Sequence, residues 1–227
     1  MNAATTQSVR VWDLPTRVFH WTLALAIVGS VVTAKVGGGA TVWHFRLGYL
    51  VLALLAFRLL WGIVGGRWSR FASFIYAPAT VLRYLRGQTR PGEHLDVGHN
   101  PLGSFSVFGL LLMLIVQVAT GLMADDEIAS VGPLNRFVSS ATASLATGWH
   151  KDWGQWIILA MVALHVAAIV FYLKRKRINL VWPMLLGDKN LPKGTPASAD
   201  GVRQRMLAVV IVALCAVAAY GVAALGG

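Results

Sequence analysis

Five uninterrupted apolar runs, at about residues 17–36, 43–64, 102–123, 153–173 and 206–225, constrain this chain before anything else does. A hydrocarbon core roughly 30 Å thick takes about 20 residues of helix to cross, and backbone groups inside it must find their partners within the helix. Each run reaches that length, so the sequence predicts an all-α integral membrane protein. Composition agrees, because 227 residues that are 56% apolar and only 13% charged fall outside the range of soluble domains. The first run follows Arg10 and Arg17, but it is long, gives way to Gly37-Gly38-Gly39 and has no small-residue cleavage pattern. It reads as a retained helix and not as a cleaved signal.

The net charge of +11 is a topology signal. Basic residues gather before the first run (Arg10, Arg17), in 65–101 (Arg67, Arg70, Arg83, Arg86, Arg90) and in 174–205, which opens with Lys174-Arg175-Lys176-Arg177. The opposite connections carry little beyond Lys35, Arg136 and Lys151. By the positive-inside rule the N-terminus and the two basic segments are cytoplasmic, and the 37–42 turn and the 124–150 loop are external. No nucleic-acid partner is expected; the partner of the long apolar surfaces is membrane lipid.

Local signals place the helix ends. Pro15 suits a first turn, where its missing N–H costs nothing, and Thr41 is a candidate cap for the second helix. Trp68, Phe71, Phe74 and Tyr76 alternate with arginines in an interfacial stretch. Pro101 opens the third helix, Asp125, Asp126 and Glu127 mark an acidic external loop, and the fourth helix is expected to begin between Gly148 and Trp153. A polar cytoplasmic linker, 188–205, separates residues 1–187 from an additional transmembrane helix in 206–227. The lone Cys215 excludes an intrachain disulfide, and the absence of a Cys-x-x-Cys-His motif excludes covalent haem attachment.

The histidines carry the chemistry. Of six, His20, His44, His150 and His165 fall in predicted helices or at their ends, where an ionisable side chain faces the bundle or a partner. His20 begins an outward helix and His165 nears the end of an inward one, so both lie in the cytoplasmic half. His44 and His150 begin inward helices and lie near the external face. A single membrane histidine is more often an interhelical hydrogen-bonding residue than a ligand, but four at matched depths on three helices make two bis-histidine sites. His150 and His165 are separated by about 22 Å of rise and about 60° of rotation for a regular helix, which leaves room for two stacked haems. Bis-imidazole ligation closes both axial positions and suits electron transfer. Arg17, Arg46 and Arg58 are candidate partners for haem propionates through paired charge-assisted bonds, with snorkelling to lipid as the competing role.

The segments Arg10-Val-Trp-Asp-Leu-Pro-Thr-Arg-Val-Phe-His20-Trp, Trp43-His44-Phe-Arg46-Leu-Gly48-Tyr, Phe57-Arg58-Leu-Leu-Trp61-Gly62 and Gly98-His99-Asn100-Pro101-Leu-Gly103, with His150 and His165, resemble the prokaryotic cytochrome b561 family over roughly residues 8–187. That family includes the b-type cytochrome subunits of nickel-iron hydrogenases. The resemblance implies a four-helix transmembrane bundle enclosing two haems b, exchanging electrons with quinone in a bacterial inner membrane. His20 and His165 would ligate the cytoplasmic-side iron, and His44 and His150 the external one. Residues 1–187 are then a diheme cytochrome b core. His99 matches a family feature and reads as a loop cap before a quinone contact.

The leading function is electron transfer between the quinone pool and an external partner, such as a c-type cytochrome or a hydrogenase-like dehydrogenase. A second is catalysis in its own right, as a superoxide oxidase passing electrons to quinone, with Arg46, Arg136 and Lys151 attracting the anion. Asp125, Asp126, Glu127 and Asp152 on the same face weigh toward docking a protein instead. A third is a non-redox scaffold or transporter, in which the histidines are structural. Whether the chain is an enzyme or a carrier is left open by the sequence.

Overall fold

The structure, a computed structural model, describes residues 6–90, 92–126 and 130–226. Five helical spans are long and apolar enough to cross a membrane: Leu14–Val36, Gly38–Val64, Pro101–Met123, Ser140–Lys174 and Val202–Ala224. Their apolar side chains are turned outward in numbers no soluble fold tolerates. Leu25 is 73% exposed, Leu112 61%, Leu164 70% and Val217 70%, as expected where lipid replaces water.

In chain order, strand β1 (Thr6–Arg10) precedes α1 (Leu14–Val36). A 3₁₀ turn over Gly38–Ala40 runs directly into α2 (Thr41–Val64). Thr41 is therefore already helical and not the expected cap, because glycines at positive φ (Gly37 at 65°, Gly38 at 53°) turn the chain before it. The interfacial stretch ends in α3 (Pro78–Leu85), and α4 spans Pro101–Met123. The fourth span is α5 (Ser140–Gly148), a π-helical segment Trp149–Gly154, and α6 (Gln155–Lys174). It starts well before the expected Gly148–Trp153, so the last part of the supposed external loop, from Ser140 on, is helix. Ser140, Thr142, Ser144 and Thr147 interrupt the apolar run, yet hydroxyls do not break it: Ser139 caps it by accepting from Thr142 N–H at 3.2 Å, and Thr147 Oγ1 donates back to the Ala143 carbonyl at 2.8 Å. Helix α7 (Val181–Leu186), strand β2 (Asp188–Pro192) and α8 (Val202–Ala224) complete the chain. Of the acidic loop, Asp125 bridges to Val131, and Glu127 lies outside the described residues.

The chain divides into two compact units. The first combines the residues up to Val18 with Arg58–Phe108 and His165–Val209. Here β1 pairs antiparallel with β2 in the register Thr6↔Pro192 to Arg10↔Asp188, over a core of Val11, Trp12, Trp68 and Val97. Asp13, with no exposed surface, caps α1 by accepting from Thr16 N–H at 2.8 Å. It also accepts from Trp61 Nε1 at 3.1 Å, Gly66 N–H at 3.1 Å and Ser69 Oγ at 2.5 Å. The expected polar linker is woven into this unit: Ser198 Oγ donates to the Val11 carbonyl at 2.7 Å, and Asp200 accepts from Leu14 N–H at 3.0 Å and pairs with Arg10 and Arg205. The second unit takes Phe19–Phe57, Gly109–Leu164 and the residues from Val210 onward, and holds the cavity described next.

Candidate functional site

His44 sits in the first turn of α2, and His150 in the π-helical segment. Each ring is anchored through Nδ1 to a backbone carbonyl of a neighbouring helix: His44 to Ser30 of α1 at 2.9 Å, His150 to Gln117 of α4 at 2.8 Å. A carbonyl only accepts, so Nδ1 carries a proton in both rings, and the neutral tautomer compatible with that bond has its lone pair on Nε2. This arrangement, with the far nitrogen tied to a carbonyl, is the usual second layer behind a metal-ligating imidazole.

The two rings face each other with centroids 5.9 Å apart and planes 81° apart. Two imidazoles bound to one metal through bonds of about 2 Å have ring centres about 6 Å apart. Both line a cavity of about 550 Å³ whose walls include Ile27, Val31, Val51 and Leu114, a size within the ordinary range of about 300–1,000 Å³ for ligand sites. Glycines shape it. A Cβ at Gly121 would come 2.7 Å from His150 Cε1, so glycine is what lets α4 approach the ring, while the space beside Gly48 on the cavity wall is open. Two buried oxygens on the same wall, Ser30 Oγ and Gln117 Oε1, have no hydrogen-bond partner among the described residues. Lys35, Lys151, Asp126 and Asp152 also border the cavity. A flat macrocycle carrying a metal and acidic substituents would fit this set: two imidazole nitrogens, an apolar wall, bare Cα positions and two lysines.

The remaining sequence candidates are placed as follows. His20, on α1 in the second unit, stands edge-on to Trp21 with centroids 5.1 Å apart, and His165 is half-buried on α6 in the first unit. Arg46 is exposed and stacks on Trp43 at 4.9 Å. Arg58 is 3% exposed, donates to the Ser69 carbonyl at 3.0 Å and lies 4.6 Å over the Phe71 ring. Arg17 donates to the Leu185 carbonyl at 2.6 Å. His99 packs between Trp12 and Phe74, each 4.7 Å away, and the cap is its neighbour: Asn100 Oδ1 accepts from Gly103 N–H at 2.7 Å.

Sequence reasoning missed Gln117, whose side chain donates to the His150 carbonyl at 2.9 Å. A signal existed, since it is the lone amide in an apolar membrane helix, where such a group calls for an interhelical partner. The π turns carried no readable signal, and they alter the regular angular spacing assumed between His150 and His165.

The sequence model of the family described as prokaryotic cytochrome b561 matches residues 11–187. Among relatives, a protein of Escherichia coli described as probable Ni/Fe-hydrogenase 1 B-type cytochrome subunit is 27% identical over 190 residues, covering 69% of this chain and 80% of its own. Proteins described as probable Ni/Fe-hydrogenase B-type cytochrome subunits are 28% identical in Cupriavidus necator, covering 70% of this chain and 78% of the relative, and 24% in Bradyrhizobium diazoefficiens, covering 80% and 86%. No solved structure matches the chain.

Proposed function

Since the chain belongs to the prokaryotic cytochrome b561 family, we propose that it is a diheme b-type cytochrome subunit that passes electrons between an external dehydrogenase of the nickel-iron hydrogenase class and membrane quinone. The observation that carries this reading is the facing pair His44 and His150, each with Nδ1 tied to a carbonyl across a cavity of about 550 Å³. Haem b held there by His44 and His150 would supply reversible one-electron chemistry.

The chain's own groups do the rest. His44 and His150 present Nε2, the Ser30 and Gln117 carbonyls fix the tautomers, and the apolar wall keeps water from the metal. Lys35 and Lys151 border the cavity and are placed to receive carboxylates. His20 and His165 form the second ligand pair in this proposal, supported by their matched depth in the sequence and by the family. The hydrogenase partner is supported by the descriptions of the relatives. The basic segments 65–101 and 174–205 support a cytoplasmic N-terminus.

The test is a reduced-minus-oxidised spectrum of the purified protein with its haem-to-chain ratio. Two haems b per chain, both extracted by acid acetone, are expected; a content near zero, or haem that resists extraction, overturns the reading. A reporter fused after Arg177 should read cytoplasmic and one inserted near Ser130 external, and the reverse would invert the assigned sides.

A further inference from the structure

Gln117 is tied to His150 from both of its ends. Its carbonyl accepts from His150 Nδ1 at 2.8 Å, and its side-chain Nε2 donates to the His150 carbonyl at 2.9 Å. Four residues on, one turn along the same face, Gly121 lets the imidazole ring lie against α4. From the other side Gly154, the last residue of the π segment, makes the room: a Cβ there would overlap Gln117 Oε1 and come 2.9 Å from Trp149 Nε1. His44 has no such return bond, for among the described residues no side chain donates to its carbonyl. A π segment is rare and concentrates at functional sites; this one holds a proposed ligand. An amide in the middle of an apolar helix is also costly unless bonded.

We propose that Gln117 is a positioning residue that holds the His150 imidazole hard against the α4 carbonyl and so sets the affinity and reduction potential of the haem between His44 and His150. The proposal rests on the ligation reading above. A tight Nδ1–H···O bond makes Nε2 a stronger donor to iron, which favours the oxidised metal and holds the potential down. The side-chain bond pins the His150 backbone, and with it the distance from Nδ1 to the carbonyl. Without the amide the wide turn relaxes, the bond lengthens and the potential rises.

The experiment compares the full-length protein with its Gln117→Leu, Gly154→Ala and His150→Ala variants, reading haem content, low-temperature spectra and redox titrations. His150→Ala identifies the spectral component belonging to this cavity by its loss. In Gln117→Leu that component alone is expected to bind haem about tenfold more weakly. At a fixed ambient potential it should also be several-fold more reduced, a tenfold change in that ratio being about 59 mV for one electron. Gly154→Ala keeps the amide but pushes it away from the π segment, so it should move the same component in the same direction, and it tests the idea even if Gln117→Leu does not accumulate. If His150→Ala removes no haem, the ligation reading itself fails and the Gln117 role with it. If His150→Ala removes a haem but the other variants leave its potential and spectrum unchanged, the Gln117 role fails alone. An equal shift of every component would mark a general loosening and would also overturn it.

Discussion

Each unit holds a polar cluster, the Asp13–Asp200 group in the first and the His44–His150 cavity in the second, and the two are built in opposite ways. In the first, the carboxylates of Asp13 and Asp200 are closed in: Asp13 accepts from four donors, and Asp200 takes the α1 amide together with Arg10 and Arg205. In the second, bonds are left unmade: among the described residues nothing pairs with Nε2 of His44 or His150, both of which line the cavity, or with the buried side-chain oxygens of Ser30 and Gln117. An unmade hydrogen bond in a low-dielectric interior costs far more than a made one returns. A closed network is what stability alone would select, and the open one is where the proposed haem would supply the missing partners.

Breaking the closed network should have the largest effect on stability. Asp13→Ala strands four donors, two of them backbone N–H groups, and should destabilise the protein by about 3 kcal/mol or more, read as a drop in the unfolding midpoint in detergent. An unchanged midpoint would show that the network is not closed by Asp13. Breaking the open site should do the reverse. His150→Ala is expected to remove one haem of two while costing the haem-free protein less than about 1 kcal/mol. Adding His44→Ala should cost little more, because the first loss already disables the pair. By contrast, His20→Ala combined with His44→Ala should abolish all haem, and one haem surviving there would refute the pairing.

Acid should loosen the closed network selectively. Burial alone would raise the Asp200 carboxyl, but the Arg205 hydrogen bond, the Leu14 N–H and the charges of Arg205 and Arg10 outweigh it and hold the pKa below the ordinary 3.8. A carboxyl depressed on folding contributes stability that is fully present above its unfolded pKa and is lost as pH falls through the folded one. Protection of the residues around Ser198 and Asp200 from proteolysis should therefore decline below about pH 4, and Asp200→Asn should remove that pH dependence. The smallest effect is expected at Arg46. Exposed and stacked on Trp43, its change to Gln should move stability by no more than about 0.5 kcal/mol and leave haem content as it was. Loss of haem would bring Arg46 into the site.

The same contrast separates what could be read in the sequence from what could not. The spans were legible because hydrocarbon imposes one length and one polarity on any helix that crosses it. His44 and His150 stood out because an imidazole in such a helix needs a reason. Neither signal extends to contacts carried by the backbone: Ser30 holds the His44 ring, and Gln117 the His150 ring, through carbonyls that every residue has. Nothing in the sequence singles out Asp13, and only the fold brings Trp61, Gly66 and Ser69 to it. The start of the fourth span was misjudged because hydropathy counts a hydroxyl as polar even when its own helix satisfies it.

The pairing of β1 with β2 has a meaning in time. Arg10 leaves the ribosome 178 residues before Asp188, its partner across the strand pair. At about 5–20 residues per second the N-terminal strand waits roughly 10 to 35 s for its mate. By then four spans have been handed to the membrane and only α8 is still to come. The strand pair is thus a latch that closes late in biogenesis, once the segments carrying His20, His44, His150 and His165 have all been synthesised, and a chain released short of residue 188 has nothing to close it.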